Sequence, residues 1–248
     1  MEAYEYATMA DFETSYWWYR GLHGMIIDLL HDLNVKQDAR ILDAGCGTGG
    51  NLVNLGNHFT LTSGFDYSID AAPFWARRGL CRCAVASIND MPYQDNAFDV
   101  VLSIDVFEIS TVDETRGMAE LWRVTRPGGL IMIVVPAYRW LYSAEHDLAV
   151  HSTRRYTRDD VIKLLKQHPI EIVRSSYLFM LLFPLIATVR LARQRFTRPT
   201  TGTPRSDLRP IPGIMNEIFS FIMRIERRLL QTFSFPFGSS VLVIARKP

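Results

Sequence analysis

Three glycines follow a short apolar segment, 39–43, with the spacing Gly45-x-Gly47-x-x-Gly50. Glycines at this spacing let the backbone turn tightly and approach a ligand closely. A second apolar segment ends in Asp66, 21 residues after Gly45, where a carboxylate can accept hydrogen bonds from ribose hydroxyls. Together these residues predict a site for a nucleotide-like ligand, although the loop alone also matches the dinucleotide fingerprint.

A second group of polar residues could carry proton chemistry. Asp105 ends an apolar segment, and His146, His151 and Tyr156 follow another at 130–135. Histidine titrates near neutral pH and is the most frequent general base. We therefore predict that His146 or His151 assists deprotonation of a bound substrate and that Tyr156 orients this substrate. Asp105 is expected to lie near the reacting group of the ligand. The alternative, that these side chains form structural hydrogen bonds in loops or a helix cap, stays open.

Alternating apolar and helical segments must position these residues. Five strand–helix alternations predict a parallel sheet with helices on both faces, and ligands bind such sheets at the carboxyl ends of the strands. Predicted strands cover 39–43, 60–66, 82–88, 98–105, 130–135, 170–175 and 240–245, and predicted helices cover 14–35, 51–57, 71–78, 111–125 and 157–167. The pattern indicates one α/β domain over residues 1–248, with 1–35 as an N-terminal helical lid.

A long insertion, 176–238, separates the last two predicted strands. It holds two apolar helical runs, 178–195 and 214–231, joined by a loop rich in Pro, Thr and Arg over 197–213. Residues 174–248 carry 12 Lys/Arg and 3 Asp/Glu, a net charge of +9, whereas the rest of the chain carries −8. Apolar stripes flanked by arginine are typical of helices at an anionic membrane surface. Roofing of the active site and burial in a homodimer remain alternatives.

The N-terminal helix begins with an aromatic cluster, Tyr16 to Arg20. These aromatic side chains could close over a bound ligand, or they could anchor the helix to the domain. Both interpretations stay open at this point.

Composition excludes several classes of protein. The three cysteines do not form a paired framework, and Cys81 and Cys83 lack the four-ligand pattern of a structural zinc site, so no metal is predicted. The acidic start of the chain lacks the apolar core of a secretory signal, and no run reaches the length of a membrane span. We therefore expect a cytoplasmic protein, with peripheral contact at the inner membrane surface as an alternative.

Four segments in this order resemble the motifs of the class I S-adenosylmethionine (SAM)-dependent methyltransferases. They are ILDAGCGTG at 41–49, FD at 65–66, MPYQDNAFDVV at 91–101 and RPGG at 126–129. The later segments PAYRWL at 136–141, HD at 146–147 and HSTRRYT at 151–157 resemble a bacterial subgroup of that family. The resemblance implies a Rossmann-like fold with a seven-stranded, mostly parallel sheet, SAM as cofactor, and S-adenosylhomocysteine as product.

The same resemblance implies roles for individual residues. Asp43 would hold the amino group of SAM, Asp66 the ribose, and Tyr67 and Ile88 the two adenine faces. Two positions depart from the family pattern: Ser87 stands where an acidic residue is frequent, and Ile109 replaces the usual histidine. The expected cofactor-binding residues are Asp43, Ala44, Gly45, Cys46, Gly47, Gly49, Asp66, Tyr67, Ser87, Ile88, Asp105, Trp18 and Arg20.

The expected function is methyl transfer from SAM to an O, N or C atom of a small-molecule or lipid-like acceptor. Nucleic acid is not expected as a partner, because the motif region is acidic and shows no basic groove with interleaved aromatics. Ile109 favours one alternative, a SAM-binding protein that no longer methylates and has a cyclase-like or binding role. A nicotinamide oxidoreductase is a second alternative, which the glycine loop alone would allow.

Overall fold

The computed structural model describes residues 1–196 and 206–248, so part of the loop predicted over 197–213 lies outside the described residues. The strands are β1 Arg40–Ala44, β2 Leu61–Asp66, β3 Cys83–Val85, β4 Phe98–Ile104, β5 Thr125–Pro136, β6 Glu171–Leu178 and β7 Ser240–Arg246. The helices are α1 Ala3–Phe12, α2 Trp17–Asp32, α3 Gly50–Gly56, α4 Ala72–Arg77, α5 Glu114–Val124, α6 Ala144–Ala149, α7 Arg158–Leu165, α8 Phe183–Phe196 and α9 Gly213–Thr232.

The seven strands form one sheet in the order β3-β2-β1-β4-β5-β7-β6. Strands β1 to β5 pair in parallel, and β7 runs antiparallel to both β5 and β6. The central residues of β5 and β7 are almost all buried, as continuous apolar strands covered on both faces should be. The predicted Rossmann-like, mostly parallel sheet is confirmed.

The chain order changes direction between β1 and β4. From β1 the strands proceed outward through β2 to β3, and the chain then crosses back to place β4 on the other side of β1. A crevice forms at such a switch point, beyond the carboxyl ends of the strands. The glycine loop follows β1 and Asp105 follows β4, so both lie at this crevice.

Several boundaries differ from the sequence-based expectation. Helix α1 was not predicted, and α2 begins at Trp17 rather than at residue 14. Strand β6 continues to Leu178 because its last residues pair with β7, so the insertion begins later than residue 176. Strand β3 is shorter than predicted, since it lies at the sheet edge and pairs only with β2.

The insertion is attached to the N-terminal region through α9, which packs along α2. Arg227 forms a two-pronged ion pair with Asp28, with both N···O distances 2.8 Å. The Asn216 side chain accepts a hydrogen bond from the Trp17 backbone N–H and donates to Ser15 O, so it caps the start of α2. Among the described residues, no helix is long and apolar enough to cross a bilayer.

Candidate active site

A cavity of about 760 Å³ opens at the carboxyl edge of the sheet, within the size range of small-molecule sites. One part, the glycine half, is lined by the loop after β1 and the ends of β2 and β3. The other part, the aromatic half, is lined by α2, the segment after β5, α8 and residues 206–208. Asp105 and Glu108 follow β4, which lies between β1 and β5, so they stand where the two halves meet.

The glycine half depends on close backbone packing. Gly45 has a φ of +89°, and a Cβ at this position would collide with Val106 Cγ2. The backbone N–H groups of Gly45 and Cys46 both donate to Phe65 O, at 2.9 and 2.8 Å. The loop after β1 is thereby held between Phe65, at the end of β2, and Val106, after β4.

Asp66 is the main acceptor of the glycine half. Its Oδ1 accepts from the Tyr6 hydroxyl at 2.9 Å and from Ser68 N–H at 3.0 Å, and its Oδ2 accepts from Gly47 N–H at 2.9 Å. A carboxylate offers about four acceptor positions, and three are used here. The Tyr6 hydroxyl is a side-chain donor from α1, whereas the other two donors are backbone N–H groups.

The turn after α1 is fastened to the glycine loop by Glu13. This buried carboxylate accepts from the Thr48 hydroxyl and from Gly50 N–H, the latter at 3.1 Å, and it pairs with Arg78. Burial raises the pKa of Glu13 above its usual value, while the Thr48 and Arg78 contacts oppose that shift. Met9 of α1 packs where a Cβ on Gly47 would point. Helix α1 therefore covers the glycine half, although the sequence did not predict a helix at these residues.

Asp43, at the end of β1, is buried and lines the cavity. Its Oδ2 accepts from the Asn51 side chain at 3.0 Å, and burial raises its pKa to about 7. The Asn51 side-chain oxygen is itself buried and has no partner among the described residues. The pair offers acceptor oxygens to a ligand amino group.

Asp105 and Glu108 form a pair of carboxylates beside the cavity. Asp105 has a φ of +51°, and its side chain makes no hydrogen bond with the described residues. Non-glycine residues in this conformation cluster at functional sites. Burial raises the pKa of Asp105 to about 7, partly opposed by the positive charge of Arg155. Burial, and then the Asp105 charge, raise the pKa of Glu108 well above its usual range.

The aromatic half contains buried ion pairs. Arg155 Nη2 lies 2.7 Å from Asp147 Oδ1, and both side chains are almost fully buried. Arg190 and Arg193 both pair with Asp207, at 3.0 and 2.6 Å. Arg155 and Arg190 are the arginines that line the cavity in the described part of the chain, so each cavity arginine already has a carboxylate partner.

Comparisons with known proteins show what this chain resembles. Residues 42–133 match the family model described as a methyltransferase domain. The chain is 30% identical over 128 residues to sterol 24-C-methyltransferase from Neurospora crassa, covering 48% of this chain and 32% of that protein. The family match identifies residues 42–133 as a methyltransferase domain. S-adenosylmethionine is the cofactor of this methyltransferase domain.

Solved structures share the fold of this chain. Geranyl diphosphate methyltransferase in complex with SAM superposes with a TM-score of 0.59 at 18% identity, covering 90% of this chain and 84% of that chain. The cyclase SpnF superposes with a TM-score of 0.54 at 21% identity, covering 89% and 80%. The chain spans about a third of the length of the curated relatives it matches.

Most of the expected cofactor residues line the glycine half of the cavity. Ala44 and Gly49 do not, because Ala44 is buried within β1 and Gly49 is the N-cap of α3. Arg20 also lies outside, since it points away from the cavity and pairs with Glu217 at 2.7 Å. The expected residues that do line the cavity are Asp43, Gly45, Cys46, Gly47, Asp66, Tyr67, Ser87, Ile88, Asp105 and Trp18.

The N-terminal aromatics lie between the insertion and the cavity. Trp17 and Trp18 line the cavity, and Trp18 also stacks on Phe179 with ring centroids 5.5 Å apart. Trp17 contacts Phe179 and Phe219 edge-on. The cluster therefore anchors α2 to the insertion and forms a wall of the aromatic half.

The two histidines expected as general bases, His146 and His151, both have hydrogen-bond partners in the structure. His146 lines the cavity, but its Nδ1 accepts from Asp207 N–H at 3.0 Å. Neutral His146 therefore carries its proton on Nε2 and acts there as a donor, which corrects the prediction of a free base. Burial also lowers its pKa, against the charge of Asp207. His151 is half-exposed at the rim of the cavity, with Nε2 3.0 Å from Glu2 Oε1.

Tyr156 does not reach the cavity, so the prediction that it orients the acceptor is wrong for this structure. Its hydroxyl lies 2.8 Å from both Phe107 O and Glu114 Oε1. Arg154 donates to the carbonyl oxygens of Phe107 and Ile109, and Thr153 N–H donates to Glu108 O. The segment 153–156 thus clamps the backbone that carries Glu108, and Tyr156 is a positioning residue.

Sequence reasoning missed two groups of cavity residues. Glu108 lies three residues after Asp105, within the segment already compared with the family, and that proximity was a usable signal. Asp207 meets Arg190 and His146 only through tertiary contacts. No local spacing in the sequence indicates those partners.

Proposed function

We propose that this chain transfers a methyl group from SAM to a small, lipid-like acceptor bound in the aromatic half of the cavity. The observation that carries the proposal is the continuity of the two halves. Apolar walls from Trp17, Trp18, Leu141 and Ile186 lead directly to the carboxylates at the end of β4. An acceptor held there would present its nucleophile beside the glycine half.

The residues of the glycine half fit the cofactor. Gly45 leaves room where a side chain would collide with Val106, and Asp43 and Asn51 supply buried acceptor oxygens. We propose that Asp43 holds the amino group, that Asp66 holds the ribose, and that Tyr67 and Ile88 flank the adenine. Ser87 lines the same region, where its hydroxyl oxygen accepts from Asn89 N–H at 3.1 Å.

Bound SAM supplies a methyl group on a positively charged sulfur, which is a good leaving group. The protein must then align the acceptor, exclude water and remove a proton. We propose that Asp105 accepts that proton, since its pKa of about 7 suits a general base near neutral pH. Glu108, held neutral by burial and by the Asp105 charge, would donate a hydrogen bond to the acceptor.

The charges of the aromatic half narrow the acceptor class. Arg155 and Arg190 are already paired, while Glu5 and Asp105 have no cationic partner within hydrogen-bond distance among the described residues. A buried charge is costly unless it is paired. We therefore propose an acceptor that reacts through a hydroxyl or an amine and carries no phosphate.

S-adenosylhomocysteine formation with matched acceptors tests the proposal. Farnesol and farnesyl phosphate share an apolar tail and differ in the phosphate, so they form a suitable first pair. We expect product only with the uncharged member, and none with the Asp105→Asn variant. Calorimetric SAM binding without product from any hydroxyl or amine acceptor would favour the cyclase-like or binding role.

A further inference from the structure

Helix α9 presents an apolar face to solvent. Ile214, Ile218, Phe221 and Ile225 recur at spacings of three or four residues, which places them on one side of the helix. Their exposed fractions are 76%, 53%, 55% and 40%. We call these four residues the α9 stripe.

The stripe is unusual because the other side of α9 already packs on the protein. Ser220, Met223, Glu226 and Leu230 are buried, and they lie opposite the stripe. A surface helix normally turns its apolar side inward and its polar side to water. In α9 the inward side includes a serine and a glutamate, whereas the outward side is apolar, so a further partner is needed to cover it.

Two unpaired arginines border the stripe. Arg224 and Arg228 are exposed and form no ion pair with the described residues, and the Arg224 guanidinium lies 5.6 Å from the Phe221 ring centroid. Glu217 is on the same flank, but it is already paired with Arg20 at 2.7 Å. The border of the stripe is therefore cationic.

We propose that the α9 stripe docks this methyltransferase on an anionic lipid bilayer. Apolar side chains bordered by arginine suit the boundary between acyl chains and negatively charged headgroups. A second copy of the chain would bring the same unpaired arginines, and within the described residues α9 has no exposed, unpaired carboxylate beside the stripe to match them. Charge complementarity therefore favours the bilayer over a homodimer.

Docking would place the cavity close to a source of lipid-like acceptors. Helix α9 packs directly on α2, whose Trp17 and Trp18 line the aromatic half. The link to lipid acceptors rests on the proposed function, but the docking itself does not require methyl transfer. Vesicle binding and methylation can therefore fail independently of each other.

Co-sedimentation of the full chain with lipid vesicles tests the docking. We expect binding to phosphatidylcholine vesicles that contain phosphatidylglycerol, little binding to pure phosphatidylcholine, and weakening at high salt. The double variant Ile218→Ser/Phe221→Ser should bind at least about tenfold more weakly, because each buried side chain contributes strongly. Arg224→Gln and Arg228→Gln should each weaken binding about fivefold.

Val53→Ser is the control, since Val53 is an apolar residue on α3, outside the stripe, with the same exposed fraction of 40% as Ile225. Circular dichroism melting confirms that every variant is folded. Failure of the wild-type chain to bind anionic vesicles would overturn the proposal, as would an equal loss in Val53→Ser. Self-association that disappears in the stripe variant, without vesicle binding, would assign the stripe to a homodimer instead.

Discussion

The two halves of the cavity are built in different ways. The loop residues of the glycine half come from one stretch of chain, roughly 43–109, and are held by backbone hydrogen bonds and tight turns. The aromatic half gathers side chains from α2, the segment after β5, α8 and residues 206–208, and joins them with ion pairs. A backbone-built half can stay the same while the other half changes its ligand, so we expect cofactor binding and acceptor choice to respond separately to mutation.

Asp105→Asn should have the largest effect, because it removes the proposed proton acceptor where the halves meet. We expect turnover to fall about 10²–10⁴-fold, with SAM affinity little changed. In the wild type, the rate should rise with pH through about 7, since the carboxyl must lose its proton before it can act as a base. Steady-state rates across pH, beside SAM calorimetry, measure both quantities.

Asp113→Asn is a suitable control for that variant, since Asp113 caps α5 and lies outside the cavity. Its turnover should stay close to that of the wild type. A pH profile that is flat around 7 in the wild type would remove Asp105 from the mechanism. An equal loss of SAM affinity and turnover would instead identify Asp105 as a cofactor ligand. The two halves would then not respond separately to mutation.

Arg155→Met should destabilise the packing of the aromatic half and leave the contacts of the glycine half unchanged. Leaving Asp147 buried and unpaired costs about 3–5 kcal/mol of unfolding free energy. Urea denaturation measures that loss, and the double variant Asp147→Asn/Arg155→Met should lose less than the sum of the two single changes. A loss below about 1 kcal/mol for the single variant would show that this ion pair does not hold the aromatic half together.

The same contrast explains what the sequence could predict. The glycine half follows from local patterns, since Gly45, Gly47 and Asp66 act through short-range turns and strand ends. In the aromatic half, His146 was found by residue type, but its role depends on Asp207, 61 residues away. Tyr156 was likewise misassigned, because its partner Phe107 O lies 49 residues earlier in the chain.

The fold could be predicted where local apolar periodicity determines an element, and not where distant residues do. The apolar periods of the strands and of α2 predicted the sheet and the helix layers. Helix α1 was missed because its burial is supplied by distant residues, including the contact of Tyr6 with Asp66. The insertion's helices were predicted from their apolar runs, whereas the packing of α9 on α2 depends on pairs such as Arg227 with Asp28.

Asp66→Ala should weaken SAM binding by about 1–3 kcal/mol, the range for losing hydrogen bonds to a charged group. The change removes the carboxylate that also holds Gly47 N–H, so it acts within the glycine half. Asp70→Ala is the control, since Asp70 is exposed and its side chain forms hydrogen bonds with Ser68. Calorimetry that finds unchanged SAM affinity in a folded Asp66→Ala protein would contradict the proposal that Asp66 holds the ribose.

Tyr156→Phe should have the smallest effect and separates positioning from acceptor contact. Loss of its hydroxyl contacts with Phe107 O and Glu114 costs about 0.5–1.5 kcal/mol of stability. Because the hydroxyl does not reach the cavity, we expect the KM for the acceptor to stay constant while kcat falls modestly, through a looser backbone at Glu108. Thermal unfolding and steady-state kinetics on the same preparation test this. A raised acceptor KM with unchanged stability would return Tyr156 to the acceptor site, and the aromatic half would then extend beyond the cavity described above.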